Sequence, residues 1–253
     1  MKKFRFIFPL CILILLTCGC RATPQNEDAT PTSLSQTKAT EWDRIVQENE
    51  LKVGVPSLED SMDNRLIDAF AKEANLTVKK VVLPWDNTLK DAVSNGDVDL
   101  LWGQIPATSD SSTMFRLSNP YFHSTMLYLA RSADITAEQS TPVGVLQYSA
   151  GQFMAENYFD TVTAYQTKEE LLYALRQNLV DCILLDNALF PNMQMKKDFC
   201  HIIKEVPYDL VVAFEQNKTS VAAEAEKIIA KIKADGTATD ICLQWYLSDY
   251  IKK

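Results

Sequence analysis

Apolar residues recur at two spacings along the chain, and the alternation between those spacings marks out its elements. Leu51-Lys-Val-Gly-Val55 reads as a short buried strand, after which Leu66, Ala69, Phe70 and Ala74 fall at helical spacing. Thr77 to Leu83 returns to strand. Leu89 to Val93 reads as a short helix closed by Asn95-Gly96, and Val98 to Trp102 as a third strand. This β-α-β-α-β order predicts parallel strands joined by crossover helices. A second unit begins after Ala130. Val143-Gly-Val145 is a strand, and Ser149 caps the helix that carries Phe153, Met154 and Tyr158. Thr167-Lys-Glu-Glu170 has capping-box spacing and opens a helix with Leu171, Leu172 and Leu175 on one face. Asp181-Cys-Ile-Leu-Leu-Asp186 is a buried strand ending in a carboxylate. His201 to Val206 and Leu210 to Phe214 close the strand pattern. The last helix carries Val221, Ala225, Ile228, Ile229 and Ile232, with Gly236 just past its end. Alternation throughout predicts an α/β fold.

The first residues follow neither period. Lys2, Lys3 and Arg5 precede an apolar run from Phe6 to Leu16, shorter than the roughly 20 residues a helix needs to span a bilayer. Residues 1–19 read as a signal peptide. The run ends in Thr17-Cys18-Gly19-Cys20, which resembles a bacterial lipobox, although Thr17 stands where that motif prefers Leu. It predicts cleavage after Gly19 and lipid on Cys20; secretion with cleavage nearby and an uncleaved anchor are the alternatives. Residues 20–40 run through Thr, Pro, Gln, Asn, Ser and Ala with too little apolar surface to fold alone, and read as a flexible tether.

Composition narrows the function. The 253 residues are 47% hydrophobic and 23% charged, ordinary for a globular chain. Net charge is −8, and loss of the leader would remove basic residues but no acidic one. Binding to nucleic acid is therefore not expected, because phosphates need clustered Lys and Arg. His123 and His201 stand far apart without HExxH or CxxC spacing, so neither a metal site nor a cofactor is indicated. GxSxG and P-loop motifs are absent. After Cys20, the cysteines are Cys182, Cys200 and Cys242, of which at most two can pair. Cys182 reads as a buried small hydrophobe, with a Cys182–Cys200 bridge left open.

Four segments, Leu51-Lys-Val-Gly-Val55, Asn95-Gly-Asp-Val-Asp99, Leu117-Ser-Asn-Pro-Tyr121 and Val180-Asp-Cys-Ile-Leu-Leu-Asp186, carry a resemblance in their order and spacing. The body from Glu50 to Leu247 resembles the extracellular solute-binding proteins of family 3, the polar amino-acid receptors of ABC transporters. The resemblance implies a two-lobed fold of the type II periplasmic-binding-protein kind, with a ligand cleft between the lobes. Lobe one would take residues 41–122 plus 209–253, and lobe two 123–208, with crossings near Phe122 to Thr125 and Val206 to Asp209.

The same resemblance assigns candidate ligand contacts. Asp186 ends its strand where the family places the carboxylate that meets a ligand ammonium; capping the next turn through Asn187 is its other reading. Counting back from Leu117-Ser-Asn-Pro-Tyr121 puts Ser111 where the family carries the arginine that grips a ligand carboxylate. That arginine is missing, and Arg116, the nearest substitute, falls on the approach to the next strand. Thr108 keeps a family hydroxyl, or serves only a turn. The first aromatic wall is absent from the loop Pro56 to Arg65. Trp85 lies near the second aromatic, as cleft plate or as core residue, and Trp102 is similarly placed at a strand end. Val145-Leu-Gln-Tyr-Ser-Ala-Gly151 resembles the family's turn into a helix, where Ser149 would meet an anion or simply cap.

The function implied is a monomeric, lipid-tethered receptor of the cell envelope that hands a small polar solute to an ABC permease in the inner membrane, without catalysis. A charge-assisted carboxylate contact is worth roughly 1.5 to 3 kcal/mol, so losing the arginine favours an amine or cationic solute over a standard amino acid. The alternatives are a sensor or partner-binding lipoprotein that has lost the transport ligand, and a cyclohexadienyl-dehydratase-like enzyme, for which Asp186 and Asp209 are the available carboxylates. Cys20→Ser is expected to release the protein from the membrane fraction and abolish lipid labelling. Membrane attachment without labelled lipid in the wild type would overturn the lipobox reading.

Overall fold

Runs that are apolar on every residue end up in sheet interiors, and runs with helical spacing cover the sheets. The computed structural model describes residues 39–86, 88–189 and 200–252. The leader, Cys20 and the tether up to Lys38 lie outside them. The first sheet contains β1 (Glu50–Val55), β2 (Thr77–Val82), β3 (Leu100–Leu101), β4 (Arg116–Leu117) and β10 (Ala213–Phe214), in the order β2-β1-β3-β10-β4. Strand β1 runs parallel to β2 and β3, whereas β10 is antiparallel to β3 and β4. The second sheet contains β5 (Phe122–Ala130), β6 (Val143–Leu146), β7 (Val162–Tyr165), β8 (Cys182–Asp186) and β9 (His201–Leu210), in the order β7-β6-β8-β5-β9. Its parallel trio β7-β6-β8 repeats the β2-β1-β3 plan, again followed by antiparallel strands.

Helices α1 (Glu41–Glu48), α2 (Met62–Ala74), α3 (Leu89–Ser94), α4 (Ser109–Met114), α7 (Thr219–Ala234) and α8 (Thr237–Trp245) belong with the first sheet; α5 (Ala150–Glu156) and α6 (Lys168–Arg176) belong with the second. The capping box at Thr167 forms as its spacing predicts, with Glu170 bonding back to the Thr167 N–H. A second box at Thr40 and Asp43 starts α1, a helix that the sequence reading did not identify. Fully buried Ile45 pins that helix to the core.

The long strand β5 was not predicted; the chain passes from the first sheet to the second between β4 and β5 and returns between β9 and β10. Strands β5 and β9 pair antiparallel, with Phe122↔Leu210 through Thr125↔Pro207 in register. Strand β9 runs unbroken through Pro207, where two separate strands were expected. Proline is tolerated because β9 is an edge strand, so its missing N–H breaks no ladder on the outer side. Phe122, at the start of β5, stacks on Tyr250 and tilts against Tyr246, so the chain's last segment covers this junction. No disulfide joins Cys182, Cys200 and Cys242, all of which are buried. Burial pushes the Cys182 thiol up to about 12, as suits an inert packing residue.

Two residues of the family-like segments have packing reasons. A Cβ on Gly54 would lie 2.6 Å from Leu101 Cδ2 and 2.8 Å from Leu83 Cδ1, so only glycine fits between them. Asp99 is 3% exposed and accepts from the Lys52 N–H at 2.9 Å and from Arg44 Nη2 at 2.5 Å, which ties α1 to β1. Removing that carboxylate leaves the part-buried Lys52 N–H and the Arg44 guanidinium without this acceptor. Asp99→Ala is therefore expected to lower unfolding stability by about 1–3 kcal/mol, read as a shifted urea midpoint. An unchanged midpoint would show that α1 needs no such tie.

Candidate ligand-binding site

Loops at the carboxyl ends of parallel strands are where open α/β sheets take ligands, because those ends have no following strand to cover them. Here such loops from both sheets converge on one cavity of about 470 Å³. From the first sheet come Val55 to Ser57 and Glu59 to Ser61 after β1, Asp63 and Asn64 at the start of α2, and Trp102 and Gln104 after β3. From the second come Gln147 and Tyr148 after β6 and Gln166 after β7. Among the described residues that line it, the charged side chains are the acids Glu59, Asp60 and Asp63, with no Lys, Arg or His.

The backbone is held out of its preferred region at two of these positions. Gln104 has φ 56° and Tyr148 has φ 60°, and the other described non-glycine residues with positive φ are all asparagines. Asparagine adopts this conformation readily, whereas glutamine and tyrosine pay for it in strain, which concentrates at functional sites.

The acids are not equivalent. Asp60 is gripped through both oxygens by Arg65, at 2.6 and 2.8 Å, which holds its carboxyl below the ordinary range. Asp63 is 8% exposed and accepts from Tyr121 Oη at 2.7 Å and Gln104 Nε2 at 2.9 Å. Burial pushes its carboxyl above the ordinary range, against those two hydrogen bonds. Asn64 Nδ2 donates to the carbonyls of Ser57 and Glu59 at 3.0 and 2.7 Å, which shapes the loop after β1.

The sequence-derived candidates fall in three places. Asp186 and Ser149 come together around a small second cavity of about 20 Å³ at the crossings, together with Gln104 and Tyr208. Asp186 accepts from Ser124 Oγ at 2.5 Å, from the Ala188 N–H at 2.7 Å and from Tyr208 Oη. Ser124 and Tyr208 are register partners on β5 and β9, so one carboxylate joins both crossings to the end of β8. Burial raises its carboxyl above the ordinary range, with the three donors opposing. Ser149 caps α5, accepting from the Gln152 N–H and donating to the Leu146 carbonyl.

Trp85 lies 4% exposed in a core cluster and faces Phe153, Glu156 and Asn157 across a crevice of about 40 Å³, away from the large cavity. Thr108 and Ser111 form a reciprocal capping box on α4, with Ser111 wholly buried and donating to the Pro106 carbonyl at 2.7 Å. Neither lines a cavity described here. Sequence reading missed Asp63, Asn64, Gln104 and Tyr148. A usable signal existed for Asp63, which lies two residues past Ser61, the cap of the helix after the first strand. Gln104 and Tyr148 gave none, because their positive φ is a tertiary outcome.

The two buried carboxylates fix a pH dependence. A carboxyl raised in the folded state keeps its proton where the unfolded chain has released it. The stability it contributes is full below the ordinary value of 3.8 and is lost as pH rises through the raised folded value. Asp63→Asn is therefore expected to flatten part of the fall in melting temperature above pH 3.8 in ligand-free protein. Parallel wild-type and variant profiles would contradict the raised Asp63.

Comparison with known proteins follows the same lines. The sequence profile of bacterial extracellular solute-binding proteins, family 3, matches residues 61–248. A Neisseria gonorrhoeae protein described as a probable histidine-binding protein is 24% identical over 142 residues, 53% of either chain, so the match spans about half that relative's length. The structure of an ABC uptake transporter substrate-binding protein from Streptococcus pneumoniae with bound histidine is similar at TM-score 0.64 and 19% identity, over 86% of this chain and 100% of that one. An arginine-, lysine-, histidine-binding protein from Geobacillus stearothermophilus gives TM-score 0.59 at 21% identity, over 79% and 96%. These structural likenesses establish a two-lobed α/β fold. With the profile spanning most of the chain, the protein belongs to the bacterial extracellular solute-binding proteins, family 3.

Proposed function

We propose that this protein is an envelope receptor that takes a small polar solute, amino acid or amine-like, into the cavity between its lobes and hands it to an ABC permease. In this reading residues 1–19 are the leader, Cys20 carries lipid, residues 20–40 are the tether, and the lobes divide at 122/123 and 208/209. The observation that carries the reading is the cavity itself, whose walls come from strand ends of both sheets. A ligand touching both walls favours the closed arrangement by its added contacts, which is how binding becomes visible to a permease. The histidine-bound and basic-amino-acid-binding structures support a nitrogen-rich ligand, as does the acidic wall. Binding without catalysis is proposed, in keeping with the binding proteins among its relatives.

Asp186 has a different task in this reading from the ligand contact that the resemblance assigns. With three donors already on its two oxygens, it sets the geometry of the crossings. A thermal-shift screen of amino acids, amines, nucleosides and organic acids tests the function, since ligand at a hundred times Kd stabilises by about 2.7 kcal/mol. Amines or amino acids are expected among the stabilisers, together with a smaller radius of gyration in solution scattering. Stabilisation by organic acids alone would overturn the reading. Asp186→Asn is expected to cost about 1–3 kcal/mol of stability, because the amide meets donors with a donor of its own, and to change affinity for the best hit less than tenfold. A larger affinity loss with unchanged stability would return Asp186 to the ligand.

A further inference from the structure

Two residues on the wall of the large cavity carry buried polar atoms that the protein leaves unanswered. Asn64 is 7% exposed and Trp102 1% exposed; both line the cavity, and Asn64 Oδ1 and Trp102 Nε1 are buried with no hydrogen-bond partner. The orientation of the Asn64 amide follows from its neighbours. Its nitrogen already serves the Ser57 and Glu59 carbonyls, and turning it over would set its oxygen against two other oxygens. The side chain therefore offers a fixed acceptor, adjacent in sequence to buried Asp63. Glu59 lies on the same wall and forms no ion pair among the described residues, whereas Asp60 is neutralised by Arg65. A wall of this kind matches an ammonium or guanidinium, which donates hydrogen bonds and carries the opposite charge.

A ligand carboxylate meets only neutral side-chain donors there, such as Gln147 and Gln166. Among the described residues the wall has no Lys, Arg or His, and the α4 position to which the resemblance assigns the family's arginine is a buried serine turned into its own capping box. Trp102 Nε1 is a single neutral donor, suited to a hydroxyl or carbonyl oxygen. We infer that the cavity selects a small cation without a carboxylate, its ammonium or guanidinium group held on the first lobe by Asn64 Oδ1, Asp63 and Glu59. This rests on the receptor reading of the cavity and narrows its ligand class. Both orphan atoms are shut from bulk water, so entry requires a small shift of the Ser57–Glu59 loop that Asn64 holds.

Matched probes test the inference by calorimetric titration of the full chain: arginine, argininamide and agmatine; lysine, lysinamide and cadaverine; histidine, histidinamide and histamine. In at least one series both carboxylate-free members are expected to bind ten times or more tighter than the parent amino acid. Glu59→Gln, at an exposed position, is expected to weaken that binding about threefold or more, and Asp63→Asn tenfold or more with an unchanged circular dichroism spectrum. Should Asp63→Asn fail to fold, the Glu59 variant and the matched series still decide. A parent amino acid binding as tightly as its carboxylate-free partners in every series that binds would overturn the inference and leave the receptor reading standing. Binding confined to anions or neutral solutes would overturn it too. Silence across the probes and across a wider solute panel would overturn both.

Discussion

A carboxylate buried where two chain crossings meet must be surrounded by donors, and at Asp186 that requirement shapes the hinge. Ser124 and Tyr208 face each other across the β5–β9 ladder, and both donate to Asp186 at the end of β8. The Ala188 N–H adds a third donor from the turn that follows. Breaking any one bond leaves a buried polar atom unsatisfied, so the three strands hold one mutual geometry. Phe122, Tyr246 and Tyr250 then close the outer side with stacked and tilted rings. The ends of β5, β8 and β9 are thereby fixed to one another on one side of the cavity.

Gln104 links that junction to the cavity. It borders the small hollow beside Asp186 and donates to Asp63 on the large cavity's wall. Its left-handed backbone conformation turns it into this position at the end of β3. Burial, and after it the charges of Asp63 and Asp186, raise the Tyr246 hydroxyl above its ordinary range. Two raised carboxylates in one protein thus have different settings: Asp186 is saturated by hinge donors, while Asp63 stands beside an acceptor without a partner. That difference is the physical ground for placing the ligand's cation on the first lobe.

The missing arginine and the acidic wall agree with each other. A receptor that keeps a carboxylate-gripping cation gains from ligands carrying that carboxylate; one that buries a serine there gains nothing from them. Thr108 and Ser111 instead stabilise α4 through the box that joins their side chains to each other's backbone N–H.

What the sequence determined by itself was the succession of elements and the family-like order of segments. Apolar spacing fixes strand or helix locally, and caps such as Thr167 and Ser149 act within four residues, so both are visible in one dimension. Helix α1 was missed though its Thr40–Asp43 box stood in the sequence, and β5 was missed because its partners are remote along the chain. Tertiary structure alone decided which hydroxyls and carboxylates are spent internally. Ser111, Trp85 and Asp186 had the right residue types for a ligand, but burial and hydrogen bonding commit them to a helix cap, a core cluster and the crossings. Asp63, Asn64 and Gln104 reach one cavity only because β1, which leads into the start of α2, lies beside β3 in the folded sheet, and a hydrogen bond across 41 positions leaves no local trace in sequence.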